Sequence, residues 1–227
     1  MAAETTPRRL PLFPLAQVVL FPRTRVPLQV FEPRYRQMTR DVLEGDRRIG
    51  MIAVPEEHTA AMAGDPPTFS VGCLGRVTDV RRTQDGRYRF VLSGEARFRV
   101  VAEQPRPAER LYRVAEVESL SDPLPDSEAS RAAALRMRAS ELLEDLLRRN
   151  TNPERTPGLQ LRARLRELGD GVFADALSQA LSFSTLEKQG LLESNGVPAR
   201  LERLVGLLDF KLAELGDPGG EDTPTVH

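Results

Sequence analysis

Side chains able to do chemistry are few in this 227-residue chain, and their spacing is poor. Cys73 is the single cysteine, so no intramolecular disulfide can form, and a reducing compartment is permitted. It lies between Gly72 and Leu74 in a strand-like run, where a thiol reads as a small buried hydrophobe rather than a nucleophile. The two histidines, His58 and His227, are far apart. A structural zinc site needs about four Cys/His ligands, more than the chain supplies. A Ser-His-Asp triad would have to use a loop histidine or the last residue. Only Lys188 and Lys211 are lysines. A catalytic lysine needs desolvation to lower its pKa, and both positions read as solvated. Neither G-x-x-x-x-G-K-[ST], G-x-G-x-x-G nor G-x-S-x-G occurs. The closest glycine pair, Gly72 and Gly75, sits in β-like sequence, where it serves close packing or a bulge. Carboxylates are numerous, but no spacing singles out an acid/base pair. The expectation is a chain with no catalytic residues, no metal and no cofactor.

The elements that must position whatever function remains change character halfway. Val18–Phe21 and Val26–Phe31 read as short strands. Pro33 then fits the first turn of a helix, carrying Tyr35, Met38, Val42 and Leu43 at helical spacing, with Gly45 as its stop. Ile49–Val54 resumes strand character, and His58–Pro67 reads as a loop. Val71–Arg82, Asp85-Gly86 and Tyr88–Leu92 form the strongest hairpin signal, because a type I′ turn needs positive φ at both central residues. Ser93-Gly94 reads as a further turn. Phe98, Val100 and Ala102 then alternate with Arg97 and Arg99, and Tyr112–Leu120 gives another strand. Many short strands with turns between them suggest a small barrel or sandwich.

After Pro123 and Pro125 the hydrophobic period becomes helical. Asp126 or Ser127 can cap a helix reaching about Arg149, and Asn150–Pro157 reads as a loop. Leu161, Leu165 and Leu168 mark a second helix; Asp170 can cap a third with Phe173, Leu177 and Leu181. Ser184 and Glu187 make a capping box for a fourth. Pro198 opens the last, striped by Leu201, Leu204, Val205, Leu208, Leu212 and Leu215. The boundaries expected are a disordered lead-in over 1–9, a β-rich part over 10–122, a helical bundle over 123–215 and a disordered tail over 216–227.

Charge excludes little and suggests less. Net charge is −1; residues 1–122 carry 19 basic and 16 acidic side chains, too even a balance for a polyanion surface. No run approaches the roughly 20 apolar residues of a membrane span. The polar start, followed by Pro11, Pro14 and Pro22, does not form a signal peptide. A cytoplasmic protein that binds no membrane is expected, with its oligomeric state left open.

Leu10-Pro11-Leu12-Phe13-Pro14-Leu15, Val18-Val19-Leu20-Phe21-Pro22, Val26-Pro27-Leu28 and Phe31-Glu32-Pro33-Arg34-Tyr35-Arg36 together resemble the N-terminal, substrate-binding domain of Lon proteases. Gly72-Cys73-Leu74-Gly75, Asp85-Gly86-Arg87-Tyr88 and the later Leu186–Gln189 and Arg200–Leu204 extend the likeness over roughly residues 8–215. The resemblance implies an α+β fold: a PUA-like pseudo-β-barrel with one inserted helix, followed by a C-terminal helical bundle. It also implies a substrate-recognition role, as in a stand-alone Lon-domain protein, because the family's ATPase motif and Ser-Lys dyad have no counterpart in this sequence.

The Glu32–Arg36 segment is the most distinctive local feature. In one reading Phe31, Arg34 and Tyr35 contact a partner. In the other, favoured on the residues, Phe31 and Tyr35 pack the inserted helix on the barrel, Pro33 starts it and Glu32 pairs with a nearby arginine. The leading functional expectation is a module holding unfolded or partly folded polypeptide, as adaptor or holdase. RNA binding through the arginines along residues 87–99 is the second; a small-molecule enzyme or ligand-binding barrel is the third.

Overall fold

The computed structural model describes residues 8–149 and 165–216. The chain divides into two compact units, one of residues 8–122 with 175–194, the other of 123–174 with 195–216 as far as they are described.

The first unit carries six strands: β1 Arg8–Leu15, β2 Arg25–Val30, β3 Arg48–Ala53, β4 Val71–Arg82, β5 Tyr88–Glu103 and β6 Val114–Leu120. A single helix, α1 (Pro33–Glu44), lies between β2 and β3 in sequence. The strand order is β2-β5-β4-β3-β1-β6, and β5 pairs with β6 as well. That second pairing joins five strands in a ring, which makes the sheet the expected pseudo-barrel, with β2 added outside the ring along the first half of β5. All pairings are antiparallel except β1 with β3.

Strand β5 makes the closure possible. Its first half pairs with β2 and its second half with β6. In between, Gly94 faces Gly75 and Ala96 faces Leu74, so Glu95 is an extra residue with no partner on β4. Such a bulge bends a strand without ending it. Ser93-Gly94 is therefore not the expected turn but the corner of one long strand. Gly94 is needed there because a Cβ would stand 2.1 Å from the Phe21 carbonyl oxygen. The approach is held by Arg23 N–H donating to Gly94 (2.8 Å) and Gly94 N–H donating to Thr24 (2.9 Å).

One strand that the sequence reading did not name appears in this unit, and one that it did name is corrected. Leu10–Leu15 is strand despite Pro11 and Pro14. β1 pairs with β6 over Arg8–Pro11 and with β3 over Leu12–Leu15, so each half has a ladder on one side only and a missing donor is tolerated. Val18–Phe21 is not a strand. Its backbone finds side-chain partners instead: Phe21 N–H donates to Gln179 Oε1 (3.2 Å), and Thr24 Oγ1 bonds the same atom (3.0 Å). Val19, Leu20 and Phe21 are buried all the same.

Opposite faces of β1 and β3 feed two apolar clusters. Phe13, Ile49 and Met51 pack with Tyr35, Met38 and Val42 of α1, while Leu10, Leu12 and Ile52 pack with Phe98, Ala115 and Val117. The α1 residues recur at i, i+3 and i+7, the spacing of one helix face. Gly45 is the C-cap, with an ordinary negative φ; the positive-φ residue after it is Arg47.

Residues 175–194 complete this unit with the end of helix α3 (Asp170–Ala180) and all of α4 (Thr185–Glu193). α4 starts with the expected capping box, Ser184 and Glu187 each satisfying the other's backbone N–H.

In the second unit a turn of 3₁₀-helix, Asp126–Glu128, leads into α2 (Ala129–Arg149); α5 spans Val197–Gly216. These two helices run in the same direction. Arg131 pairs with Glu202 (2.9 Å) and Arg138 with Asp209 (3.0 Å), a step of seven residues along both. Ala132 and Ala139, also seven apart, are fully buried together with Leu201, Leu204 and Leu208. The stripe expected on α5 is shorter than its sequence suggests, since Leu215 is exposed. Asp170 is the first residue of its helix rather than its cap and pairs with Arg136 (2.9 Å). The Asn150–Pro157 loop and Leu161 lie outside the described residues, as does the 217–227 part of the expected tail.

Candidate functional site

The segment singled out in the sequence sits where β2 hands over to α1. Pro33 occupies the first turn of the helix, where its missing N–H costs nothing. The three residues named there go to three different environments. Phe31 projects outward with 59% of its surface exposed, so it does not pack the helix onto the barrel as expected. Tyr35 does that work, 4% exposed and with its ring 4.5 Å from that of Phe13 at a tilt of 52°, its hydroxyl 3.5 Å from the Pro14 carbonyl. Burial pushes its phenol up to about 12.

Arg34 is a clamp. Its guanidinium lies 4.6 Å over the Tyr35 ring, pairs with Glu32 (2.8 Å) and donates to the carbonyls of Met62 and Gly64. It thereby ties the loop after the 3₁₀ segment Glu56–Ala61 to the start of α1. Glu32 has the arginine partner that the sequence suggested.

Beside this clamp is an open cleft of about 320 Å³ whose lining includes Arg34, Gly64, Asp65, Arg106, Arg110 and Leu111. Its second wall is the loop between β5 and β6. That loop is pinned to α1 by Gln37, which accepts from Leu111 N–H (2.7 Å) and donates to the Glu109 carbonyl (2.7 Å). Arg106 grips Asp65 with two nitrogens, at 3.1 and 2.5 Å. The Arg106 hydrogen bond holds the Asp65 carboxyl below the usual range, helped by the nearby charges of Arg113 and Arg34. Leu111 is exposed at the lip. Nothing in the sequence marked this cleft, because its residues come from the start of α1 and from two loops far apart in the chain.

The arginines of residues 87–99 do not form one basic face. Arg97 is 3% exposed and donates to the carbonyls of Leu192 (2.8 Å), Ser194 (2.6 Å) and Ser121 (2.7 Å). Arg87 pairs with Asp85 (3.1 Å), and Arg99 with Glu118 (3.4 Å). The alternation that put Arg97 outward fails because the chain segment ending α4 covers that face of β5.

Lys188 is half-buried rather than solvated. Its ammonium donates to the Gln179 carbonyl (3.1 Å), and burial lowers its pKa. Ser184, the nearest serine in sequence, accepts from Glu187 N–H in the capping box, so both groups serve local structure. Cys73 is fully buried, and burial pushes its thiol well up, as a structural cysteine requires. No helix among the described residues is long and apolar enough to cross a membrane.

A six-stranded sheet closed into a five-stranded ring, with one inserted helix and a helical second unit, defines the class. The model of the ATP-dependent protease La (LON) substrate-binding domain matches residues 9–209, and the chain belongs to that family. A Lon protease 4 of Sorangium cellulosum is 34% identical over 204 residues, covering 87% of this chain but 23% of the protease. A Lon protease of Flavobacterium johnsoniae is 26% identical over 218 residues, 95% of this chain and 26% of the protease. The chain thus spans about a quarter of the length of these relatives. Among solved structures, a Lon N-terminal domain protein from Xanthomonas campestris superposes with a TM-score of 0.56 at 26% identity, covering 88% of this chain and 98% of its own. The N-terminal domain of a Mycobacterium avium complex Lon protease shares the fold, with a TM-score of 0.67 at 19% identity over 89% and 98% of the two chains.

Proposed function

We propose that this chain is a cytoplasmic polypeptide-binding module without catalysis of its own, which holds unfolded or partly folded segments as an adaptor or holdase. The observation that carries this reading is the match of the substrate-binding domain over 9–209, the part of a Lon protease named for recognition. Phe31 is its contact residue: an aromatic ring held in water on a rigid helix start stabilises little by itself and gains by covering an apolar side chain. Arg34 and Tyr35 position it, one tying the adjoining loop and the other anchoring α1. The strand arginines lend an RNA-binding reading little support, with Arg97 buried and Arg87 and Arg99 paired.

The test is fluorescence anisotropy of a labelled, reduced and unfolded polypeptide, and of a labelled single-stranded RNA, at two salt concentrations. Binding of the polypeptide that tolerates salt, weakened several-fold by Phe31→Ser and followed by no cleavage, is the expected result. Binding of the RNA alone, falling steeply with salt, would replace the reading with a nucleic-acid one.

A further inference from the structure

The cleft beside α1 has a charge arrangement that folding alone does not require. Arg34 is matched by Glu32 and Arg106 by Asp65. Arg110 is different. Its Nη2 donates to the Pro105 carbonyl (2.9 Å), its guanidinium stands 6.0 Å from the Tyr112 ring, and no carboxylate among the described residues pairs with it. Its Nε is buried without a hydrogen-bond partner. The lining therefore holds three guanidinium groups and one carboxylate.

We propose that this cleft binds a carboxylate of the polypeptide ligand, taken by Arg110 and shared with Arg106. The inference rests on the polypeptide-binding reading and adds a preference for acidic segments to it. Arginine is suited to the task because its planar fork donates to two oxygens of one carboxylate. The chain already shows this grip, since Asp65 sits on Arg106 through two nitrogens. Asp65 is then an internal competitor: it occupies Arg106 when the cleft is empty and sets a threshold that a neutral ligand does not pass. The walls are fixed on both sides, by Arg34 on the Met62–Gly64 carbonyls and by Gln37 on the 109–111 backbone, so the cationic groups are placed before a ligand arrives. Leu111, exposed at the lip, gives the residues flanking the carboxylate an apolar surface.

Two variants act in opposite directions. Arg110→Gln removes the unmatched cation; Asp65→Asn removes the competitor and frees Arg106. Both positions are on exposed loops, and circular dichroism with a thermal melt checks that each variant folds. The probes are short labelled peptides of Leu, Ser and Gly carrying central glutamates, or glutamines in their place, each with a free or an amidated C-terminus. The full chain is expected to bind the glutamate peptide about tenfold more tightly than the glutamine peptide, with the advantage shrinking in salt. Arg110→Gln abolishes that advantage and Asp65→Asn enlarges it, while neither moves the glutamine peptide. If amidation weakens both peptides alike and Arg110→Gln abolishes that loss, the bound group is the chain terminus; if amidation weakens neither and the glutamate advantage stands, the group is the acidic side chain; either result supports the site. Equal binding of both peptides, unchanged in both variants, overturns the cleft and leaves the polypeptide-binding reading standing. Failure of the full chain to bind any of the peptides or an unfolded polypeptide overturns both.

Discussion

Phe31, expected to pack the inserted helix, is misjudged from its neighbourhood in sequence, while Tyr35 is placed correctly by its period. Phe31 and Tyr35 look equivalent as aromatics four residues apart, yet only Tyr35 falls on the α1 face shared with Met38 and Val42. Its burial has a consequence in alkaline solution. Below pH 10 the phenol is protonated in the folded and unfolded chain alike. Between about 10 and about 12 the unfolded chain releases the proton while the folded one retains it, so stability falls as pH rises. Urea midpoints at pH 9 and pH 11 should therefore drop for the natural protein and drop less for Tyr35→Phe, which cannot ionise. A drop of equal size in the variant would show that Tyr35 is not the group responsible; Tyr112, also raised to about 12 by burial and by Asp41, acts in the same direction. Glu95 repeats the point with charge: burial alone would raise it, but hydrogen bonds from Arg48 and Arg76 together lower it, so the bulge residue stays ionised between two arginines.

At the scale of the element, the barrel depends on one strand bending in place. Gly94 lets the Phe21–Thr24 loop lie directly on the bend of β5. Gly94→Ala must push two backbones apart and lose two hydrogen bonds, a destabilisation of about 2 kcal/mol or more. Gly206, exposed in the interior of α5, has nothing within 4 Å of an added Cβ among the described residues. Gly206→Ala should stabilise by about 0.5–1 kcal/mol, because alanine gives up less chain entropy in a helix. Chemical denaturation of the two variants checks both, and a harmless Gly94→Ala would mean that the bend does not need the close approach. The sequence showed a glycine and a serine here and invited a turn; only the ladder on both sides reveals a bulge, because turn and bulge share the same small residues.

At the scale of the molecule, the chain leaves its barrel at residue 122 and returns to it at 175. The returning segment is bonded in place from several directions. Asp175, fully buried, pairs with Arg23; Gln179 takes the Phe21 amide; Gln189 donates to the Val71 carbonyl (3.0 Å); and Arg97 takes the carbonyls of Leu192 and Ser194. Native-state hydrogen exchange should show amides of 175–194 opening with the free energy of the strands rather than that of α2. Exchange of this segment together with α2 instead would mean that these bonds do not join it to the barrel.

Local chemistry made part of this protein legible in advance. The Pro33 start and apolar face of α1, the Ser184–Glu187 capping box and the β4–β5 hairpin each depend on residues a few positions apart, though the hairpin turns over Thr83–Gly86 with positive φ at Gly86 and not at Asp85, so it is not the expected type I′ turn; the family likeness is likewise carried by ordered motifs from Leu10 to Leu204. Tertiary structure decided the rest. A strand interrupted by two prolines is stable only because β6 and β3 each take half of it. Arg97 turns from a surface cation into a buried clamp because carbonyls 95 and 97 residues away cover it. The cleft exists because a 41-residue separation closes between Asp65 and Arg106. Period and propensity report what a residue does to its own turn or strand, whereas burial and charge pairing depend on which distant segments the closed sheet brings alongside.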